Sequence, residues 1–360
     1  MGNKKLGYYI CDGREFISKI QCALHSSSSK QPIEWRFNGQ EFGSYTWSVE
    51  PQSSLDSLYD QRAKDLREKY DYLVLNYSGG SDCHNILMAF YRQGLLLDEV
   101  VSNWIFDASR RVTVHDTKVV AAWNQNAEFE LGVKQKLNWI ETHMPRTRVS
   151  VYDCGKQIYD YFAKTGDESW VLGAIGPVNP AAVQRYNSIS IKEIRNRIDK
   201  QKNIGIILGV DKPRALIRDN KLNLSFIDTQ ANIIPASAHF VEYDNSTIEL
   251  FYWSPDACDL LAKQAHTILR YLRANPQLTP VWQYASWVEN TNQIRENLLK
   301  HIIYTTWDDA FQVNKPVMDW YSEYDYWFME NLKKTPAGKN WNAGIQYLKN
   351  NLDPALFAPD

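Results

Sequence analysis

The sequence predicts an α/β protein built on a mostly parallel sheet with helices on both faces. Three observations carry that prediction. Short β-branched runs alternate with amphipathic stretches between residues 71 and 215, which is the order of strand–helix–strand units. One run, Ile204 to Leu208, is apolar without a polar break except for Gly205, as expected of a strand buried on both faces. The first run, Tyr72 to Tyr77, passes through Ser78-Gly79-Gly80-Ser81-Asp82 straight into a helical pattern. So short a strand-to-helix turn belongs to a compact βαβ unit.

The elements follow in order. Residues 1–70 form a β-rich extension and a helix. Ile33, Trp35 and Phe37 alternate, and Asn38-Gly39 predicts a hairpin turn before Phe42. Ser53 or Ser54 caps a helix on which Leu55, Leu58, Tyr59 and Leu66 share one face. The first strand, Tyr72 to Tyr77, precedes a helix carrying Ile86, Leu87 and Phe90, which Gly94 stops. A second strand spans Val100 to Phe106, a helix Thr117 to Ile140, and a third strand Arg148 to Tyr152. A helix at Ile191 to Lys202 leads into the fourth strand, Ile204 to Leu208. Beyond residue 215 the pattern changes. Short strands at Leu222 to Ile227 and Thr247 to Trp253 give way to helical, aromatic-rich sequence. The division expected is therefore 1–70, 71–215 and 216–360, with ligand binding in the second part.

Composition narrows the function. At 360 residues, 44% hydrophobic and 23% charged, the chain has the make-up of a soluble globular protein. Lys plus Arg is 40 against 42 Asp plus Glu, so nucleic-acid binding is not indicated by net charge. Arg195, Arg197, Lys200 and Lys202 read as a solvated helix face. The five cysteines contain no Cys-x-x-Cys pair, which argues against zinc and iron–sulfur sites and fits a reducing compartment. No apolar signal core or membrane-length run is seen. A cytoplasmic location without membrane partners is expected.

The turn at residues 78–83 carries the chemistry. Two glycines let backbone N–H groups approach a ligand, and the helix N-terminus behind them favours an anion. The turn is neither a Walker A loop nor a dinucleotide fingerprint, because neither spacing occurs in the chain. Ser78-Gly79-Gly80-Ser81-Asp82-Cys83 resembles the Ser-Gly-Gly-x-Asp-Ser signature of the PP-loop ATP pyrophosphatases. This superfamily of adenine nucleotide alpha hydrolase-like fold includes the synthetase domain of asparagine synthetase, GMP and NAD synthetases, and tRNA-modifying enzymes. PP-loop proteins encoded by large bacterial viruses are similar too. Five of six positions match, and Cys83 stands where the family has Ser. The resemblance covers about residues 70 to 215. It implies ATP and magnesium as cofactors, phosphate contacts from Ser78, Gly79, Gly80, Ser81, Asp82 and Cys83, and magnesium organised by Asp82. It also implies cleavage of ATP between its α and β phosphates, with adenylation of a carbonyl or carboxylate substrate and attack by a nitrogen nucleophile. Adenine is expected near Phe106 and Asp107, at the end of the second strand. Sulfur transfer, or an ATP-binding sensor that has lost turnover, are the alternatives. The substrate itself, a small molecule or nucleobase-type group, is not specified by any motif.

Further candidates sit in loops. Gly209 to Arg214 joins the end of the fourth strand to a carboxylate and two cations. Lys212 and Arg214 are suited to phosphate or carboxylate, and Asp211 to a metal or a nucleophile. Asp82 is expected both to cap its helix and to act in catalysis with Lys212 and Arg214. Ser254-Pro255-Asp256 reads as a helix start, with Lys263 and His266 on one helical face, where a structural role is favoured. Arg185 is a weak phosphate candidate. His84 adjoins Cys83, but neighbours on a helix point about 100° apart, so a nucleophile–base pair is not expected.

Overall fold

The sheet at the centre of the molecule has five strands, all parallel. A computed structural model gives this architecture for residues 6–104, 106, 112–114, 118–120, 129–153, 193–209, 212–226, 228, 245–283, 291–305, 330–331 and 334–351.

Before the sheet, β1 (Tyr8–Cys11), β2 (Arg14–Phe16) and β3 (Glu34–Arg36) form a small antiparallel sheet beside α1 (Lys19–Ser29). Its hairpin turns at Asp12-Gly13, both with positive φ (52° and 70°), the backbone a two-residue primed turn requires. The hairpin expected at Asn38-Gly39 does not form. Asn38 adopts φ 45° and starts a short helix instead, α2 (Gly39–Ser44). The left-handed conformation that Asn tolerates serves here as a helix entry. α3 (Leu55–Lys69) is capped by Ser54, whose hydroxyl accepts from Ser57 N–H at 3.1 Å.

The central strands are β4 (Tyr72–Asn76) and, after α4 (Ser81–Arg92), β5 (Glu99–Trp104). α4 ends as Gly94 predicts. Gly94 N–H donates to Tyr91 and Leu95 N–H to Phe90, both at 3.0 Å, the two bonds of a Schellman stop. The long helix expected from Thr117 is shorter than its pattern suggested. Two short strands, β6 (Val112–Val114) and β7 (Lys118–Val120), pair antiparallel. A π-turn over Phe129–Val133 then opens α5 (Lys134–His143). β-Branched Val119 and Val120 favour the strand over the helix. β8 (Arg148–Asp153) and β9 (Ile204–Leu208) lie where the sequence places them.

β10 (Arg214–Arg218) and β11 (Lys221–Ser225) make a separate hairpin. β12 (Ser246–Leu250) pairs parallel with β9 and is the fifth strand of the central sheet, so the sheet extends beyond residue 215. Helices follow: α6 (Cys258–Ala274), α7 (Thr279–Gln283), α8 (Thr291–Ile303) and α9 (Pro336–Asn351). α9 returns to the N-terminal unit, where Gly344 packs on Ile20 and Ser26 shares a hydrogen bond of 2.8 Å with Tyr347. Among the described residues no helix is long and apolar enough to cross a membrane.

Across the sheet the order is β12-β9-β4-β5-β8. In order of appearance the strands therefore run fifth, fourth, first, second, third. The chain moves outward from β4 through β5 to β8, then crosses back to build the other side from β9. β4 and β9 are parallel neighbours from which the strand order grows toward opposite edges of the sheet, which defines a topological switch point. Open α/β sheets bind ligands at the carboxyl ends of the strands at such a point.

Candidate functional site at the carboxyl ends of β4 and β9

The turn after β4 and the loop after β9 face each other at this switch point. Gly79 is held at φ +73°, a conformation glycine adopts without cost. A Cβ there would lie 2.7 Å from the Val133 side chain, so the π-turn before α5 packs directly on the loop. Gly80 is the N-cap of α4 with an extended backbone and no side-chain cap. Asp82, expected as a cap, is the second residue of the helix, and its carboxylate turns elsewhere. Tyr304 donates a hydrogen bond to Asp82 Oδ1, and Lys212 Nζ stands 3.7 Å from the same oxygen.

Lys212 is buried, yet it is paired twice. Its second partner is Glu296 on α8, at 2.9 Å, which also meets Arg295 Nη2 at 3.2 Å. Burial disfavours the Glu296 charge, but Lys212, Arg295 and Arg214 outweigh it and hold the carboxyl below its usual range. Arg214 begins β10 and acts on this cluster through its field. Asp82, Lys212 and Arg214 thus gather at one place. Asp211 and Asp107 lie outside the described residues, as does Arg185.

The remaining loop residues divide by direction. Ser78 is exposed, and its hydroxyl accepts a long hydrogen bond, 3.4 Å, from Gly80 N–H. Cys83 is buried beneath the loop, with Sγ 3.4 Å from the Asn76 carbonyl and 3.6 Å from Ser78 Oγ. Gly209 closes on it so tightly that a Cβ there would sit 2.6 Å from Sγ. The Ser81 hydroxyl and the Asn85 side-chain amide oxygen, Oδ1, are buried without a hydrogen-bond partner. His84 meets the Tyr77 hydroxyl at 3.2 Å.

Phe106 is half-buried at the end of β5. It lies 4.9 Å from Phe129 in an edge-to-face contact and stacks on Trp104 at 6.4 Å between ring centroids. Phe129 opens the π-turn whose last residue, Val133, packs on Gly79.

Several residues of the site carry no sequence signature. Glu296, Tyr304 and Tyr252 come from beyond residue 216, and Tyr252 donates to the Asp82 carbonyl at 2.8 Å. Burial beside Asp82 raises the pKa of both tyrosines far above the usual range, so they stay neutral donors. Lys136 on α5 donates to the Gly79 carbonyl at 2.6 Å. The one available signal was a lysine on the apolar side of a helical pattern. Lys263 and His266 lie elsewhere. Lys263 binds Glu50 at 2.8 Å and the Pro51 carbonyl at 3.0 Å, while His266 contacts the Trp47 carbonyl at 3.0 Å. The basic run near residue 200 is also structural. Arg195 donates to the Lys200 and Lys202 carbonyls, and Arg197 to the buried Glu99.

No protein-family model matches the chain, and no curated protein matches it. What the structure shows is a five-stranded parallel sheet with helices, compatible with a Rossmann-like fold, whose switch point carries a glycine loop, two carboxylates and buried cations.

Proposed function

We propose that this chain is an ATP pyrophosphatase of the AMP-forming ligase type. The observation that carries the reading is the meeting of the Ser78–Asp82 turn with Lys212 across the switch point, Asp82 and Lys212 being 3.7 Å apart. The amides of residues 78–83 lie at a helix N-terminus, where they would receive the β and γ phosphates. Lys212 and Arg214 would balance charge on the departing pyrophosphate. The rings of Phe106 and its neighbours offer a face for adenine.

In the reaction a carbonyl or carboxylate oxygen of the substrate attacks the α-phosphorus. The bond from that phosphorus to the bridging oxygen breaks, and pyrophosphate leaves. A nitrogen nucleophile then attacks the activated carbon, loses a proton, and AMP departs. Tyr252 and Tyr304 hold Asp82 at its backbone and carboxylate through this sequence.

Magnesium fits the oxygen donors available. Among the described residues no three acidic, His or Cys side chains group to hold a metal alone. Asp82 would supply one oxygen and the phosphates the others. The Asn85 side-chain amide oxygen, buried and unpartnered one turn along, is suited to a bound water. When bound, the ion would neutralise phosphate charge.

The test uses ATP labelled at the α-phosphate, with magnesium and fractionated cell extract as substrate source. The expected product is AMP with pyrophosphate, dependent on one fraction and lost in Asp82→Ala. ADP as product rejects the mechanism. A second reading, an ATP-binding sensor, draws on Cys83, whose sulfur is turned beneath the loop where the motif family has a hydroxyl. Tight ATP binding with no AMP in any fraction selects it.

A further inference from the structure

The geometry points to Lys136 as a positioning residue of the anion-binding loop, a role that rests on the pyrophosphatase reading above. Lys136 lies on α5, outside the motif, and its side chain is buried, with only 5% of the residue exposed. Its ammonium donates to the Gly79 carbonyl at 2.6 Å. A peptide unit is planar and trans, so its carbonyl and its N–H point in opposite directions. Holding the Gly79 carbonyl toward α5 therefore turns the Gly80 N–H away from α5. That N–H reaches toward the Ser78 hydroxyl, 3.4 Å away on an exposed residue. The bond is long, at the limit of hydrogen-bond geometry, and an arriving anion would replace it with a shorter, charge-assisted one.

Two further contacts fix the same peptide. Gly79 is at φ +73°, and Val133 fills the space where a side chain would be. The π-turn Phe129–Val133 runs straight into α5, so Val133 and Lys136 reach the loop as one unit. Such π-turns in helices are frequent at functional sites. A cation on the carbonyl also polarises the amide and makes its N–H a stronger donor. Lys136 thus acts through the Gly80 amide, without touching the ligand, while Lys212 approaches from the β9 side. The loop is bracketed by two buried ammonium groups.

Inorganic pyrophosphate binding to the full-length protein, followed by calorimetry, tests this directly. The Gly80 amide resonance in ¹⁵N-labelled protein provides the second readout. In the wild type, pyrophosphate binds and shifts the Gly80 resonance. Lys136→Met should weaken binding about tenfold or more and move the Gly80 resonance before any ligand is added. Lys136→Gln keeps a donor without the charge, serves if the Met variant does not fold, and should fall between the two. A folded Met or Gln variant with wild-type affinity and an unmoved Gly80 resonance overturns the role of Lys136 alone. Failure of the wild type to bind either pyrophosphate or ATP overturns the site reading and this inference together.

Discussion

The two ends of the central sheet hold carboxylates in opposite circumstances. At the amino end Glu99 is 0% exposed. It accepts from the Tyr72 hydroxyl at 3.0 Å, from the Ser150 hydroxyl, and from Arg197 at 2.8 and 2.9 Å. Its acceptor capacity is taken up by protein. At the carboxyl end Asp82 and Glu296 have side chains 19% and 25% exposed, and they share one lysine. Beside them the Ser81 hydroxyl and Asn85 side-chain amide oxygen have no partner. A saturated network adds stability and leaves nothing for a ligand to complete. An incomplete one beside solvent is where a ligand supplies the missing partners. On the function proposed above, the same sheet separates a structural end from a chemical one.

The largest effect expected is on the structural end. Glu99→Ala strips the carboxylate from Arg197, from the half-buried Tyr72 hydroxyl and from the buried Ser150 hydroxyl. Arg197 is partly exposed and can turn to water, so the loss is that of charge-assisted hydrogen bonds, about 2–3 kcal/mol, to be read by urea denaturation. Pyrophosphate affinity of the folded fraction should stay at the wild-type value. A stability loss below about 1 kcal/mol, the level of an exposed pair, would erase the contrast between the ends.

Next comes the chemical end itself. At Gly209 an added methyl group would lie 2.6 Å from Cys83 Sγ and 3.2 and 3.3 Å from the Cys83 backbone N and Cα. A thiol can rotate away, but the first turn of α4 cannot. Gly209→Ala should cost about 1–3 kcal/mol through overpacking and push the loop out of register, so anion binding falls with stability. Adding Cys83→Ala should recover part of the stability, because it removes the sulfur and leaves the backbone contacts. Full recovery of binding in the double variant would show that the loop tolerates the shift.

What the sequence revealed follows the range of the forces involved. β4, β9 and α4 were legible because burial patterns and a glycine turn are local. Lys212 and Arg214 were legible because a strand end followed by charge marks a ligand loop in an α/β sheet. Glu296, Tyr304 and Tyr252 were not, since their only signal is contact with residues far earlier in the chain, Lys212 for Glu296 and Asp82 for the two tyrosines. The strand expected from Thr247 was legible, but its place as the fifth strand of the sheet was not, for the same reason. Ser246–Leu250 has an ordinary alternating pattern, and only its pairing with β9 makes it part of the sheet. Asn38-Gly39 misled because a left-handed Asn begins a helix as readily as a hairpin, whereas Asp12-Gly13 closed the true turn.

The smallest effect concerns another ion-pair group, made on α6. Glu50 takes hydrogen bonds from Arg270 and Lys263. These bonds, opposed by slight burial, bring its pKa down to about 2 from 4.5. Because the folded value lies below the unfolded one, the pair's contribution is complete above pH 4.5 and disappears as pH falls toward 2. Glu50 is partly exposed, so solvent screening keeps the contribution to about 0.5–1 kcal/mol at neutral pH. Glu50→Gln should therefore lower stability slightly at pH 7 and match the wild type near pH 2, with ligand binding unchanged throughout. Lys263 gives the sharper test, since the sequence favours a structural role for it. If Lys263→Ala behaves like Glu50→Gln, the α6 contacts only fasten the 47–51 segment to the fold. If it abolishes pyrophosphate binding instead, the chemical end reaches farther along α6 than the contacts of Asp82 and Lys212 indicate, and the division between the two ends must be redrawn.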